Sequence, residues 1–105
     1  PYINAILPVN LVKTKRNELE QDEEIAGTIF RINEYECVVR TSVLLPYERK
    51  YSLFFEIMDY RFNIDSRIIS SRTVESEKVY YFTLKFDNMT DPAREILRRY
   101  ISDHM

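Results

Sequence analysis

The chain has 105 residues, 45% hydrophobic and 30% charged, the composition of one soluble globular domain with enough surface to bury a core of its own. Its formal net charge is −2, so the total gives no pull toward nucleic acid or a membrane surface. A single cysteine, Cys37, excludes an internal disulfide and fits a reduced, cytoplasmic setting; no run reaches the roughly 18 apolar residues of a membrane-spanning helix, and no signal peptide is visible.

The first segment, Ile3–Lys13, is apolar and interrupted by Pro8, which predicts an edge strand because proline cannot donate to a ladder. Lys13–Glu24 is a run of charge, read as a solvated hairpin loop with a short helical turn, or else as a charged docking patch. Ile25–Ile32 is a strand in which Gly27 marks a bulge or a close backbone approach. Asn33-Glu34-Tyr35 turns the chain into Glu36–Ser42, a strand with Cys37, Val39 and Thr41 on one face; that context makes Cys37 a buried structural thiol rather than a nucleophile. Leu44–Arg49 is a loop with two apolar anchors. Lys50–Tyr60 is apolar on both faces and reads as a central strand.

Phe62–Thr73 and Lys78–Phe86 alternate strongly and are joined by a polar turn at Val74–Glu77. Six strands at short spacing predict an all-β fold, a six-stranded antiparallel barrel. One C-terminal α-helix, Pro92–Ser102, completes it, with Asp91 as N-cap and Pro92 in the first helical position. Ala93, Ile96, Leu97, Tyr100 and Ile101 form its buried stripe, and Glu95 and Arg99 pair at i, i+4. Arg94, Arg98 and Arg99 occupy the other face, either as a solvated surface or as a site for an acidic partner. The chain has one glycine, so its turns must use Asn, Asp, Pro, Ser and charged residues. It opens at Pro1 rather than Met, and the expectation is a single domain over residues 1–105 that forms a piece of a longer protein.

Three stretches together resemble the PilZ domain, a bacterial module that senses cyclic di-GMP. They are Leu7-Pro8-Val9, Gly27-Thr28-Ile29-Phe30-Arg31-Ile32, and the series Phe62–Ile69, Tyr80–Phe86 and Leu97–Ile101. The resemblance implies a signalling or regulatory role and a ligand site built from two signatures. One is an Arg-x-x-x-Arg pair before the first strand, whose guanidinium groups grip phosphate and stack on guanine. The other is Asp/Asn-x-Ser-x-x-Gly between the second and third strands, whose Gly lets the ligand approach the backbone.

Neither signature is intact. Tyr2 falls near the second arginine of the pair, and the first lies upstream of Pro1. Aligned on Ile32, the second signature has Arg31 for Asp/Asn, Asn33 for Ser and Glu36 for Gly; shifted by two, it has Asn33, Tyr35 and Val38. Glu36 adds negative charge beside an anionic dinucleotide. Each lost charge-assisted bond removes roughly 1.5–3 kcal/mol, and 1.4 kcal/mol is about tenfold in affinity, so a micromolar site becomes millimolar or worse.

The expectation is therefore a non-catalytic, cytoplasmic bacterial regulatory module that works through a protein partner or a neighbouring domain, with Arg94, Arg98 and Arg99 as partner-side candidates. The alternative is a cyclic di-GMP receptor using residues upstream of Pro1 or a non-standard site, for which Tyr2, Arg31, Asn33, Glu36 and Arg40 are the ligand-side candidates. A third reading, a barrel whose Tyr51, Phe54, Tyr80 and Tyr81 stack on single-stranded bases, lacks the basic balance such sites use. An enzyme lacks any visible catalytic motif: His104, the one histidine, stands at the frayed end of the chain, and no metal-ligand spacing or cofactor motif occurs.

Overall fold

A computed structural model describes residues 2–105. Six strands run β1 Ile3–Lys13, β2 Glu24–Ile32, β3 Glu36–Thr41, β4 Lys50–Ile57, β5 Tyr60–Val74 and β6 Val79–Phe86, followed by α1, Asp91–Asp103. They close into a barrel in the order β1-β2-β3-β6-β5-β4, every neighbouring pair antiparallel. The all-β barrel with one C-terminal helix is thus as the strand spacing predicts.

Period-2 alternation supplies the interior. Leu11, Ile29, Ile32, Cys37, Val39, Leu53, Phe82 and Leu84 point inward and are almost fully buried. Phe55 and Phe62 stack with ring centroids 4.7 Å apart, and Tyr60 meets Phe62 edge-on at 4.9 Å. Cys37 is buried as expected; desolvation raises its pKa far above that of a free thiol, which keeps it protonated and inert.

Four local expectations change. First, β1 is not an edge. It pairs with β2 over most of its length and with β4 over Asn10–Lys13. Pro8 lies where β1 pairs with β2 alone, so its missing N–H breaks no two-sided ladder. Second, Lys50–Tyr60 is not one strand. Ile57 pairs with Tyr60 across a two-residue turn in which Met58 and Asp59 have φ of 53° and 65°. Both central residues are left-handed, as a twisted hairpin requires, and the usual Asn-Gly signal is missing. Third, the helix starts one residue earlier. Thr90 is the N-cap, its Oγ1 accepting from the Ala93 N–H at 3.4 Å, while Asp91 sits in the first turn and Pro92 follows it. Fourth, only Leu45 of the Leu44–Arg49 loop is an apolar anchor; Leu44 is exposed, and the second fixed point of that loop is Arg49.

Arg49 is buried. Its guanidinium donates to the Thr14 carbonyl and to both oxygens of Glu20, at 2.7 and 3.3 Å. This fork joins the β1–β2 loop to the β3–β4 loop, so Lys13–Glu24 is not simply solvated charge. Lys13 with Glu23 and Lys15 with Asp22 add two further ion pairs at the same end of the barrel. Helix α1 packs Ala93 and Leu97 onto β4 and β5, with Ile96, Tyr100 and Ile101 half-buried around them.

Candidate functional site

Apart from Tyr2, which precedes β1, the ligand-side candidates lie on β2, β3 and the turn between them, and the turn consumes one of them. The Asn33 Oδ1 accepts from the N–H groups of Tyr35 and Glu36 at 2.8 and 2.9 Å, an Asx turn that leaves this oxygen no role toward a ligand. Glu36 is engaged as well: its Oε2 accepts from the Tyr2 hydroxyl at 2.7 Å. Burial, aided by that bond and by the charge of Glu36, pushes the Tyr2 hydroxyl up to about 12, so Tyr2 stays a neutral donor. Two of the ligand-side candidates, Tyr2 and Glu36, therefore bind each other.

Arg31 and Arg40 belong to a different arrangement. On β3, Glu36, Val38 and Arg40 alternate with buried Cys37, Val39 and Thr41, so the first three face outward. Arg40 lies opposite Tyr81 of β6, and Tyr81 opposite Arg72 of β5. The next row is Val38, Thr83 and Ser70, and the next Glu36, Lys85 and Arg67. The register places these side chains on one outer wall of the barrel.

Irregularities in three strands meet at that wall. In β2 the pairing steps from Ile29–Val39 to Arg31–Val38, so Phe30 is an extra residue and both Phe30 and Arg31 reach the surface. In β5 it steps from Ile68–Leu84 to Ser70–Thr83, with Ile69 extra and exposed. In β1 it steps from Asn4–Arg31 to Leu7–Ile29. Gly27 does not bulge; it permits close packing instead. A Cβ there would stand 2.9 Å from Val39 Cγ1 and 3.0 Å from the Arg40 carbonyl oxygen.

Aromatic rings carry the arginines. The Arg40 guanidinium lies 4.8 Å from the Phe30 centroid and that of Arg72 lies 4.6 Å from the Tyr81 centroid. Phe30 and Tyr81 meet edge to face at 6.3 Å. A cleft of about 630 Å³ opens beside Phe30, Arg72 and Tyr81, bordered by Arg31, Val38, Ser70 and Thr83 as well. The sequence singled out Arg31 and Arg40 but missed Phe30, Arg72 and Tyr81 as their partners, since only the bulges and the β5–β6 register bring them together.

The partner-side arginines are largely occupied. Arg98 pairs with Glu34 of the β2–β3 turn, which raises the pKa of its guanidinium, and Arg99 lies 3.8 Å from Glu95. Arg94 is half-buried. The four aromatics considered for base stacking do not share a face: Tyr51 is fully buried with its hydroxyl donating to the Pro46 carbonyl at 2.8 Å, Tyr80 packs beside Phe82, and only Tyr81 is on the wall. His104 Nδ1 lies 2.8 Å from the Tyr100 carbonyl oxygen, its ring against that of Tyr100. Among the described residues no group of three or more His, Cys, Asp or Glu is placed to hold a metal, and no helix is long and apolar enough to cross a membrane.

No family model matches the sequence, and no curated protein matches it. The three-dimensional fold does have relatives. The Bacillus subtilis inhibitor of motility (MotI/DgrA) superposes with a TM-score of 0.76 at 13% identity, over 97% of this chain and 47% of that one. The PilZ domain of YcgR from Escherichia coli, solved with c-di-GMP, superposes with a TM-score of 0.69 at 14% identity, over 99% of this chain and 88% of that one. The chain thus spans less than half the length of the first relative and most of the second. The closed barrel with its C-terminal helix is a PilZ-like fold.

Proposed function

We propose that this barrel is a non-catalytic regulatory domain of PilZ type that acts through contact with a protein partner or a neighbouring domain, in the bacterial cytoplasm. Its position as a piece of a longer protein belongs to the same reading. The observation that carries it is the Tyr2–Glu36 hydrogen bond. It joins a neutral phenol and a carboxylate at the positions that align with the second arginine and the glycine of the family's signatures. A dinucleotide approaching there meets negative charge and an Asx turn already satisfied within the protein.

Calorimetric titration with cyclic di-GMP at low salt tests this reading. The expected result is no heat up to near-millimolar ligand. Micromolar binding would overturn it and favour the receptor reading, for which the specific support is Arg31 and Arg40 beside Phe30, neither ion-paired among the described residues. In that event Arg31→Ala and Arg40→Ala would each weaken binding, while Glu36→Gly would strengthen it.

A further inference from the structure

The cations of this protein divide into two kinds. Lys13, Lys15, Arg49, Arg67, Arg98 and Arg99 each have a carboxylate within ion-pair distance. The other nine of the 15 have none among the described residues, and of these Arg31, Arg40 and Arg72 are the ones gathered around Phe30 and Tyr81. Arg31 and Arg72 border one cleft whose lining holds no Asp or Glu, and Arg40 lies over Phe30 at its edge, bordering on its other side a second hollow that includes Glu77. We propose that this outer wall is a docking face for an acidic, extended segment of a protein partner. The proposal rests on the protein-contact reading above and names the chemistry of the contact.

Geometry favours carboxylates over nucleobases. Phe30 and Tyr81 each already have a guanidinium over the ring, so each has given up a face that a stacking base would use. What the wall offers instead is planar N–H forks, oriented by the rings beneath them, and such forks match carboxylates bidentately. Hydroxyls of Ser70, Ser71 and Thr83 line the floor as further hydrogen-bonding groups. Arg40 and Arg72 are separated by one intervening strand, β6, hence by two strand spacings, about 10 Å. An extended chain of polyproline II form rises about 3.1 Å per residue and returns to the same side every third residue, so acidic residues three apart span about 9 Å on one side. The helix arginines do not compete on equal terms, since Arg98 and Arg99 have acidic neighbours within this chain.

The test is fluorescence anisotropy with a labelled peptide of about twelve residues, glutamate at every third position and serine between, at low salt. Parallel titrations use the same peptide with glutamine for glutamate, a thymidine oligonucleotide of matching length, and cyclic di-GMP. The acidic peptide is expected to bind, to weaken with salt, and to lose about tenfold or more in the double variant Arg40→Glu, Arg72→Glu. The glutamine peptide is expected not to bind. Both arginines are exposed, so the variant retains the barrel, which circular dichroism checks; Arg40→Lys with Arg72→Lys keeps the charge, loses the fork, and should fall between. Failure of the acidic peptide to bind, equal binding by the double variant, or tighter binding by the oligonucleotide would each overturn the proposal. If the peptide fails and cyclic di-GMP is also silent, only the acidic docking face falls. If cyclic di-GMP binds, the protein-contact reading falls with it.

Discussion

Arginine does opposite work at the loop end of the barrel and on its outer wall. Arg49 is withdrawn from water, satisfied by a carbonyl and a carboxylate, and ties together two loops at the paired ends of β1 and β4. Arg40 and Arg72 stay in water, laid on aromatic rings, with no carboxylate to answer them among the described residues. A buried and paired guanidinium is part of the structure, because removing it strands its partners. An exposed one that rings have oriented contributes little to folding and is free to meet something else. The residue type is common to both; burial and pairing decide between the roles.

The largest expected effect tests the first half of that contrast. Arg49→Ala should destabilise the barrel by about 3 kcal/mol, the lower part of the range for breaking a buried pair, because the Glu20 side chain still reaches water. Chemical denaturation measures it. A change under about 1 kcal/mol would place Arg49 with ordinary surface arginines and remove the contrast. Next in size is Gly27→Ala. Its Cβ would press on Val39 and on the Arg40 carbonyl, so β2 and β3 must move apart at the root of the wall, at a cost of about 1–3 kcal/mol. The same shift should perturb the Phe30 and Arg40 resonances in an NMR spectrum, whereas Arg49→Ala should leave them in place.

A smaller effect sharpens the comparison through pH. Glu20 has its carboxyl held below the ordinary carboxylate range, first by the hydrogen bond from Arg49 and then by that from the Arg16 N–H. A depressed folded-state pKa means that the unfolded chain binds the proton more readily. The contribution of Glu20 is therefore complete above the ordinary value near 4.5 and is lost as pH falls through the folded value below it. Acid unfolding of Glu20→Gln should show a shallower fall in stability below that pH than the parent. Equal slopes would mean that the clamp does not hold its charge in solution.

What could be read from the residues alone follows the same division. The strands and the barrel class were legible because alternation is strong in Phe62–Thr73 and Lys78–Phe86, and the helix because its apolar stripe and proline mark it; the order β1-β2-β3-β6-β5-β4 was not. The Met58-Asp59 turn was not, since Met58 is no usual carrier of positive φ, no glycine stands beside Asp59, and the apolar pattern runs up to it unbroken. Nor was the wall. Phe30 and Arg31 are adjacent, and strict alternation assigns them to opposite faces; the bulge overrides that by adding one residue. Arg49 looked like one more loop charge because its partner, Glu20, lies 29 positions away in sequence.

The smallest expected effect bears on the second half of the contrast. Arg72→Ala removes a cation from the Tyr81 ring without exposing a buried group, so it should cost about 0.5–1 kcal/mol, the range for such contacts at exposed sites. A loss near 3 kcal/mol would show that the wall is held together by its arginines as the loop end is by Arg49, and would leave no surplus charge for a partner. A small loss of stability with a large loss of acidic-peptide binding would separate the two quantities at one residue. That separation is what distinguishes a side chain kept for recognition from one kept for folding: the free energy it can contribute is realised only when the missing carboxylate arrives from outside.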